Sequence, residues 1–346
     1  MRRTISASLG TVVALAGLAA FAPSSQAAPT GRTHVVWPGH SIQAAVNRAR
    51  PGDTIRLKKG HYYGDVLVRK RLTIRGEGND TVIRPGHRAH CADGLGICVI
   101  GQANRPVKDV TIRNLSVQDF SGTGVYGIYT DRLQVLAVVA KNNGEYGIAE
   151  YRSTRGRFQW NWTLDNADDA GLYVGDIANA RGTEVADNHS SGNTLGVLVR
   201  HAHHVMVHNN EVTGNCTGIA LVDDGQKGGQ GHNKVWKNKV LKNNRHCAAH
   251  EQVPALHGTG ILLFGGERNE IVKNTVRDNR GKLPYSGGIV LFPGVSPGGP
   301  ARHNLIKSNI ACDNARYDLL DKSGSRTNRF RHNTCETSKP KKLCHG

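Results

Sequence analysis

Aromatic side chains make up only 5% of this chain, methionine occurs twice, and 27 acidic residues stand against 45 Lys and Arg. Each shortage excludes something. With so few aromatics and no stacking platform in the repeat pattern, nucleic acid is a poor candidate partner, and a secreted nuclease or DNA binder has only charge behind it. The cysteines form no C-x-x-C pair and no Cys/His spacing of the zinc type, which argues against a structural zinc site. Past the N-terminal segment no apolar run is long enough to span a bilayer, so no transmembrane segment is expected.

What is present begins with Arg2-Arg3, an apolar run from about Leu9 to Phe21, and the small-x-small tripeptide Ser25-Gln26-Ala27. This has the form of a signal peptide over residues 1–27, leaving an exported domain over 28–346. The formal charge is +18, and Arg2 and Arg3 account for only two of it. The basic excess therefore belongs to the folded domain, where it attracts polyanions. Export points first to acidic polysaccharide or the anionic cell envelope. Seven cysteines in such a chain imply disulfides and one spare thiol. Cys91 and Cys98 are expected to close a small loop, and Cys216 and Cys247 to bridge neighbouring coils. Cys312, Cys335 and Cys344 share one partnership that spacing does not assign.

Ser41 to Arg50 places Ile42, Ala45, Val46 and Ala49 at helical spacing, with Ser41 as N-cap and Pro51-Gly52 as stop. Short alternating runs follow at Asp53–Leu57, Asp65–Arg69 and Arg71–Arg75. Further on, Asn pairs five apart recur at 161/166, 188/193, 210/215, 238/243, 274/279 and 309/314, with Asn114/Asp119 as an earlier variant. Asn suits bends because it tolerates left-handed backbone and bonds neighbouring peptides. Gly followed by an aliphatic residue recurs at Gly127, Gly147, Gly171, Gly196, Gly218, Gly260 and Gly288, mostly at intervals of 20 to 28 residues. Such intervals fit coils of three short strands stacked about 4.8 Å apart. The expected fold is all-β, a single-stranded right-handed parallel β-helix with a short N-terminal capping helix, its coils running to about residue 335 before a short tail.

The segment from Ser41 to Tyr62 and the Leu72-Thr-Ile-Arg-Gly-Glu-Gly78 run resemble the N-terminal cap and first coil of the pectin-lyase-like superfamily of right-handed parallel β-helices. The resemblance implies the architecture and leaves the activity open, since that superfamily holds lyases, hydrolases, epimerases and non-enzymes. Polygalacturonase-type hydrolases carry N-T-D-G, a paired Asp and G-H-G. Here Leu195 stands where the Asp of the first motif would be, Asp223-Asp224 follows its strand, and His257-Gly-Thr-Gly260 lacks the preceding glycine. Neither W-x-D-H nor R-x-P-x-x-R of the pectate lyases occurs.

Extra residues flank the Gly-aliphatic strand at 225–231, 245–257, 281–286 and 293–300. Loops inserted around one strand column are where function usually sits. Alternation turns Ala220, Val222, Leu262, Phe264, Val290 and Phe292 outward there, as a ligand groove, an interface, or a face covered by the protein's own loops. Five residues past successive glycines stand Arg152, Asp176, His201 and Asp223, with Arg200, Asp224, His257 and Arg268 nearby. For β-elimination or epimerisation at an acidic sugar, Arg200, His201 and Asp223 are the candidate catalytic residues, with Arg200 or His201 as base. Arg152, His257, Arg268, Phe264 and Phe292 are candidate substrate contacts. Asp176 and Asp224 are candidate oxygen ligands for Ca2+, although two coils, about 9.5 Å, separate them. The competing expectation is a non-catalytic binding, structural or envelope accessory protein, favoured by the lack of any complete catalytic motif.

Overall fold

The computed structural model describes residues 31–87, 89–92, 94–226, 228–250 and 253–344. The segment read as a signal peptide lies outside the described residues. Every strand is short because the chain bends after a few residues. The bends recur in register, so the strands of the coils hydrogen-bond in parallel to their counterparts one coil away. Eleven such strands, from Val66–Val68 through Thr217–Val222, Thr259–Phe264 and Gly287–Phe292 to Ser338–Lys339, make the sheet that carries the Gly-aliphatic motif. Inward side chains such as Val197, Val199, Ile219, Leu221, Ile261 and Leu263 are fully buried in one continuous core.

The motif glycines are required by contact. A Cβ on Gly196 would lie 2.2 Å from the Val212 side chain and 2.6 Å from the Gly218 carbonyl oxygen, closer than atoms can approach. The register also corrects two details of the repeat. Gly127 pairs with Glu150, so the motif on that coil is Gly124-Val125. The Asn114/Asp119 pair sits one residue off the ladder, because the Phe120 amide donates to Asn143.

The asparagines build three ladders through the bends. In one, Asn161, Asn188, Asn210, Asn238, Asn274, Asn309 and Asn333 each donate Nδ2 to the Oδ1 of the next. A second runs from Asn143 to Asn314 and ends on the Asp318 carboxylate. A third, Asn233, Asn269, Asn304 and Asn328, lies five residues ahead of the first and escaped the sequence reading. At most bends the left-handed residue is the one before the ladder asparagine: Trp160, Asp165, Asp187 and Asn209 have φ between 52° and 59°.

The capping helix spans Ile42–Arg48, and the Ser41 hydroxyl accepts from the Ala44 amide. It buries Ile42, Ala45 and Val46 against the first coils. Gln43 accepts from the Leu67 amide at 2.7 Å and donates to its carbonyl at 3.2 Å, so a side chain completes the backbone pairing of the first strand and blunts its edge. Disulfides join Cys91 to Cys98, Cys216 to Cys247 and Cys335 to Cys344, leaving Cys312 free. No helix among the described residues is long and apolar enough to cross a membrane.

Candidate functional site

The inserted loops fold down over the downstream part of the Gly-aliphatic sheet. Ala220, Leu262, Phe264, Val290 and Phe292 point outward but are buried in a second apolar cluster with Leu256, packed by Val253, Tyr285 and Val295. Tyr285 stands edge-on to both Phe264 and Phe292, at 4.8 and 4.9 Å. The apolar face is therefore the covered one of the three alternatives. Phe264 and Phe292 are packing surface for the loops.

Upstream, the same face is polar and aromatic. Tyr126, Tyr151 and Tyr173 come from three successive strands, and Tyr146 from the bend beside them. Their rings form a chain with centroids 4.5 to 6.2 Å apart. Small residues make the room: Ala149 lies between Tyr126 and Tyr173, and Gly175 pairs with Tyr151. A Cβ on Gly175 would lie 2.2 Å from the Tyr173 hydroxyl. Burial pushes the phenols of Tyr146, Tyr151 and Tyr173 well above their ordinary range, so they are neutral hydroxyls.

Next to the tyrosines, the bend column after the strand assembles charge. Tyr129, Arg152, Asp176 and His201 occupy it with φ of 48° to 57°. The His201 ring, 1% exposed, is held from both sides. Its Nδ1 lies 3.0 Å from Asp176 Oδ1, and its Nε2 contacts the Asp224 carboxylate. Tyr173 donates its hydroxyl to the same Asp176 oxygen at 3.3 Å. The His201 hydrogen bond outweighs burial and, with Arg200 and Tyr173, holds Asp176 below the usual carboxylate range. Arg200 sits over the Tyr173 ring at 5.9 Å. Burial works against its charge, but the Asp224 carboxylate favours it and the guanidinium stays protonated. Arg152 is exposed, bonded to the Tyr129 hydroxyl at 2.9 Å.

The structure thus brings together Arg200, His201, Asp176 and Asp224, with Arg152 one coil upstream. The other candidates lie apart. Asp223 accepts from the Gly225 and Gly299 amides and ties two inserted loops together. His257 lies on a short two-stranded hairpin and accepts from the Lys282 amide. Arg268 bonds Glu267 at a different bend. Asp176 and Asp224 face each other across an imidazole, and among the described residues no group of three or more His, Cys, Asp or Glu side chains is placed to hold a metal ion. The donor set does not fit Ca2+.

The profile of the right handed beta helix region matches residues 79–239 and 137–292. The chain belongs to that family. No curated protein sequence matches it. Among solved structures, it is similar to the A-module of the Azotobacter vinelandii mannuronan C-5 epimerase AlgE4, with a TM-score of 0.62, 17% identity, and coverage of 86% of this chain and 91% of that one. The periplasmic alginate epimerase AlgG aligns with a TM-score of 0.56 at 14% identity over 88% and 84% of the two chains. The DFA-IIIase of Arthrobacter chlorophenolicus, solved with GF2, aligns with a TM-score of 0.55 at 12% identity over 87% and 94%. At these identities the likeness establishes the fold.

Within this β-helix, sequence reasoning missed the tyrosines, among them Tyr146, which donates its hydroxyl to Asp169 at 2.5 Å. A signal existed. Five of the nine tyrosines fall between residues 126 and 173, and the corrected register of Gly124, Gly147 and Gly171 puts Tyr126 and Tyr173 in one column and Tyr151 two residues further along the same face. The low overall aromatic content hid that concentration.

Proposed function

We propose that the protein binds an acidic polysaccharide across the tyrosine and arginine face and removes the C5 proton of a uronate residue there, by β-elimination or epimerisation. The observation that carries this reading is the chain Tyr173–Asp176–His201–Asp224 beside the charged Arg200. Such chemistry needs a cation to neutralise the carboxylate and stabilise the charge that develops as C5–H breaks. Arg200, with Arg152 as the outer cation, takes that role. Asp176, the more accessible acceptor at 21% exposure, takes the proton, with His201 positioning it and sharing the charge. Neutral Tyr173 supplies a proton. In elimination the C5–H pair forms the C4–C5 double bond, the C4–O bond breaks, and its oxygen takes that proton. In epimerisation C5 is reprotonated from the opposite face.

The basic charge suits an anionic polymer, and the three disulfides suit an oxidising compartment outside the cytoplasm. Sugar rings stack on aromatic faces, and half-buried Tyr126 and Tyr151 offer such a surface. The likeness in fold to the mannuronan C-5 epimerase and the alginate epimerase supports an acidic polysaccharide as substrate.

The test incubates the purified protein with a panel of polyuronates in D2O. It follows unsaturated product by ultraviolet absorbance, C5 deuterium by NMR, and binding at several salt concentrations. No product, no deuterium and no salt-sensitive binding would sink the proposal. A second reading, a binder without turnover, is favoured by the 1% exposure of His201 and the engagement of both its ring nitrogens. It predicts salt-sensitive binding with neither product nor deuterium.

A further inference from the structure

The sheet that carries the asparagine bends, away from the candidate site, ends in four coils whose strands Lys234–Trp236, Glu270–Val272, Leu305–Lys307 and Arg329–Arg331 pair in register. Val235, Ile271 and Ile306 are buried in the core, so the residues beside them face outward. Trp236, Val272, Lys307 and Arg331 form one outward column. Lys237 and Lys273 stand one residue on, at the bend, and Lys239 heads the next column with Thr275, Ile310 and Thr334. Every one of the four coils thus contributes a cation to a file about 14 Å long at the spacing of parallel strands.

The charge in this file is uncompensated. Lys237, Lys239, Lys273, Lys307 and Arg331 are exposed, and among the described residues none has a carboxylate at ion-pair distance. Carboxylates lie to either side and are taken: Glu270 pairs with Lys234 at 3.3 Å, and Asp313 with Arg277 at 3.1 Å. Elsewhere on the sheet, opposite charges meet across neighbouring strands, as Arg157 meets Glu184. Like charges on facing positions, as at Lys307 and Arg331, repel and cost stability. An anionic ligand lying along the file removes that cost. The candidate site, by contrast, sets Arg152 and Arg200 among Asp169, Asp176 and Asp224, so attraction of a polyanion from a distance falls to other faces.

We propose that this file is a second binding surface, separate from the candidate site, for a linear polyanion extended along the helix axis. The identity of that polymer as a polyuronate rests on the acidic-polysaccharide reading above. A planar anionic membrane would also lie against the flanking carboxylates, whereas a single extended chain follows the cations alone. A polymer held here stays close to the candidate site, which raises its effective concentration there.

The experiment acetylates the native protein with an amine-reactive reagent, with and without a long polyuronate, and reads each lysine by mass spectrometry. Lys237, Lys239, Lys273 and Lys307 are expected to be protected, and exposed Lys108, on another part of the surface, is not. Arg200→Ala should keep this protection while losing turnover. Lys237→Glu/Lys273→Glu/Lys307→Glu, checked by thermal melting, is expected to weaken polymer binding about tenfold or more at low salt. The triple Gln variant takes its place if charge reversal costs the fold. Protection spread evenly over exposed lysines, protection lost in Arg200→Ala, or an equal loss of binding in Arg48→Glu/Arg75→Glu/Lys108→Glu overturns the second surface and leaves the reading of the candidate site standing. Wild type that binds DNA or anionic vesicles but no polyuronate overturns it as well, and product and C5 deuterium then decide the reading of the candidate site separately.

Discussion

His201 Nδ1 lies 3.0 Å from Asp176 Oδ1 on the preceding coil, and the opposite ring nitrogen meets Asp224 on the following one. Neither carboxylate is near the other in sequence, and stacking of coils alone puts one imidazole between them. Replacing Asp176 by Asn should keep the fold and reduce turnover on a polyuronate by a factor on the order of 100 or more. Arg200→Ala should cost both binding and turnover. Because His201 holds Asp176 below its ordinary range, the acid limb of the rate profile is expected below about pH 3.9. Steady-state rates from pH 3 upward, with circular dichroism as the fold control, check all three.

Glu150 points into the core, where it bonds the Thr130 hydroxyl, and burial raises it from 4.5 to about 8. The folded state therefore keeps the proton that the unfolded chain gives up. Stability from this group is full below about pH 4.5, falls as pH rises towards 8, and is level above that. Glu150→Gln should leave stability near pH 4 little changed and raise it at pH 7 by about 3 kcal/mol. Urea melts at the two pH values measure the difference. Equal effects at both would contradict the buried acid.

Asn210 accepts from the Asn188 amide and side chain, and donates to Val185 and Asn238. Asn210→Ala orphans two buried donors on the neighbouring coil, so a loss of about 2 to 4 kcal/mol is expected. Asn209→Ala, at the adjacent left-handed position with φ 54°, should cost only about 1 to 2 kcal/mol through backbone strain. Chemical denaturation of the two variants side by side separates ladder from bend.

The Cys216–Cys247 bridge, 31 residues apart, pins the loop that carries Val253 and Leu256 over Phe264. Its removal in a Cys216→Ala/Cys247→Ala variant should cost roughly 3 kcal/mol. It should also uncover the apolar floor, read as increased binding of a hydrophobic dye before global unfolding. Unchanged dye binding would show that Tyr285 and Val295 hold the cover alone.

Gln43 supplies the hydrogen bonds that close the first strand of the sheet. Gln43→Ala should expose that edge and promote concentration-dependent association. Light scattering at rising protein concentration reports it, and a strictly monodisperse variant would refute the capping role.

The repeat was legible because a coil is a local, periodic demand. Gly196 and Gly218 must lack a Cβ where the next coil's backbone passes, and ladder asparagines must recur at each bend, so both mark the chain in plain letters. Three of the ten proposed site residues, Arg200, His201 and Asp176, lie where that register put them together, and Asp224 joins them one residue from the predicted column. The tyrosines were harder to see. Their clustering depends on Ala149 and Gly175 leaving space, and on a register that Gly127 had obscured.

By itself, then, the sequence determined the coil, its three-strand period, its cap and the sheet that the inserted loops flank, because the glycines, ladder asparagines and insertions all keep one register from turn to turn. Only the tertiary structure decided that the loops cover Phe264 and Phe292, that Asp223 ties loops together, and that His201 stands between Asp176 and Asp224. Those outcomes depend on where side chains from irregular insertions come to rest, and no periodicity records that.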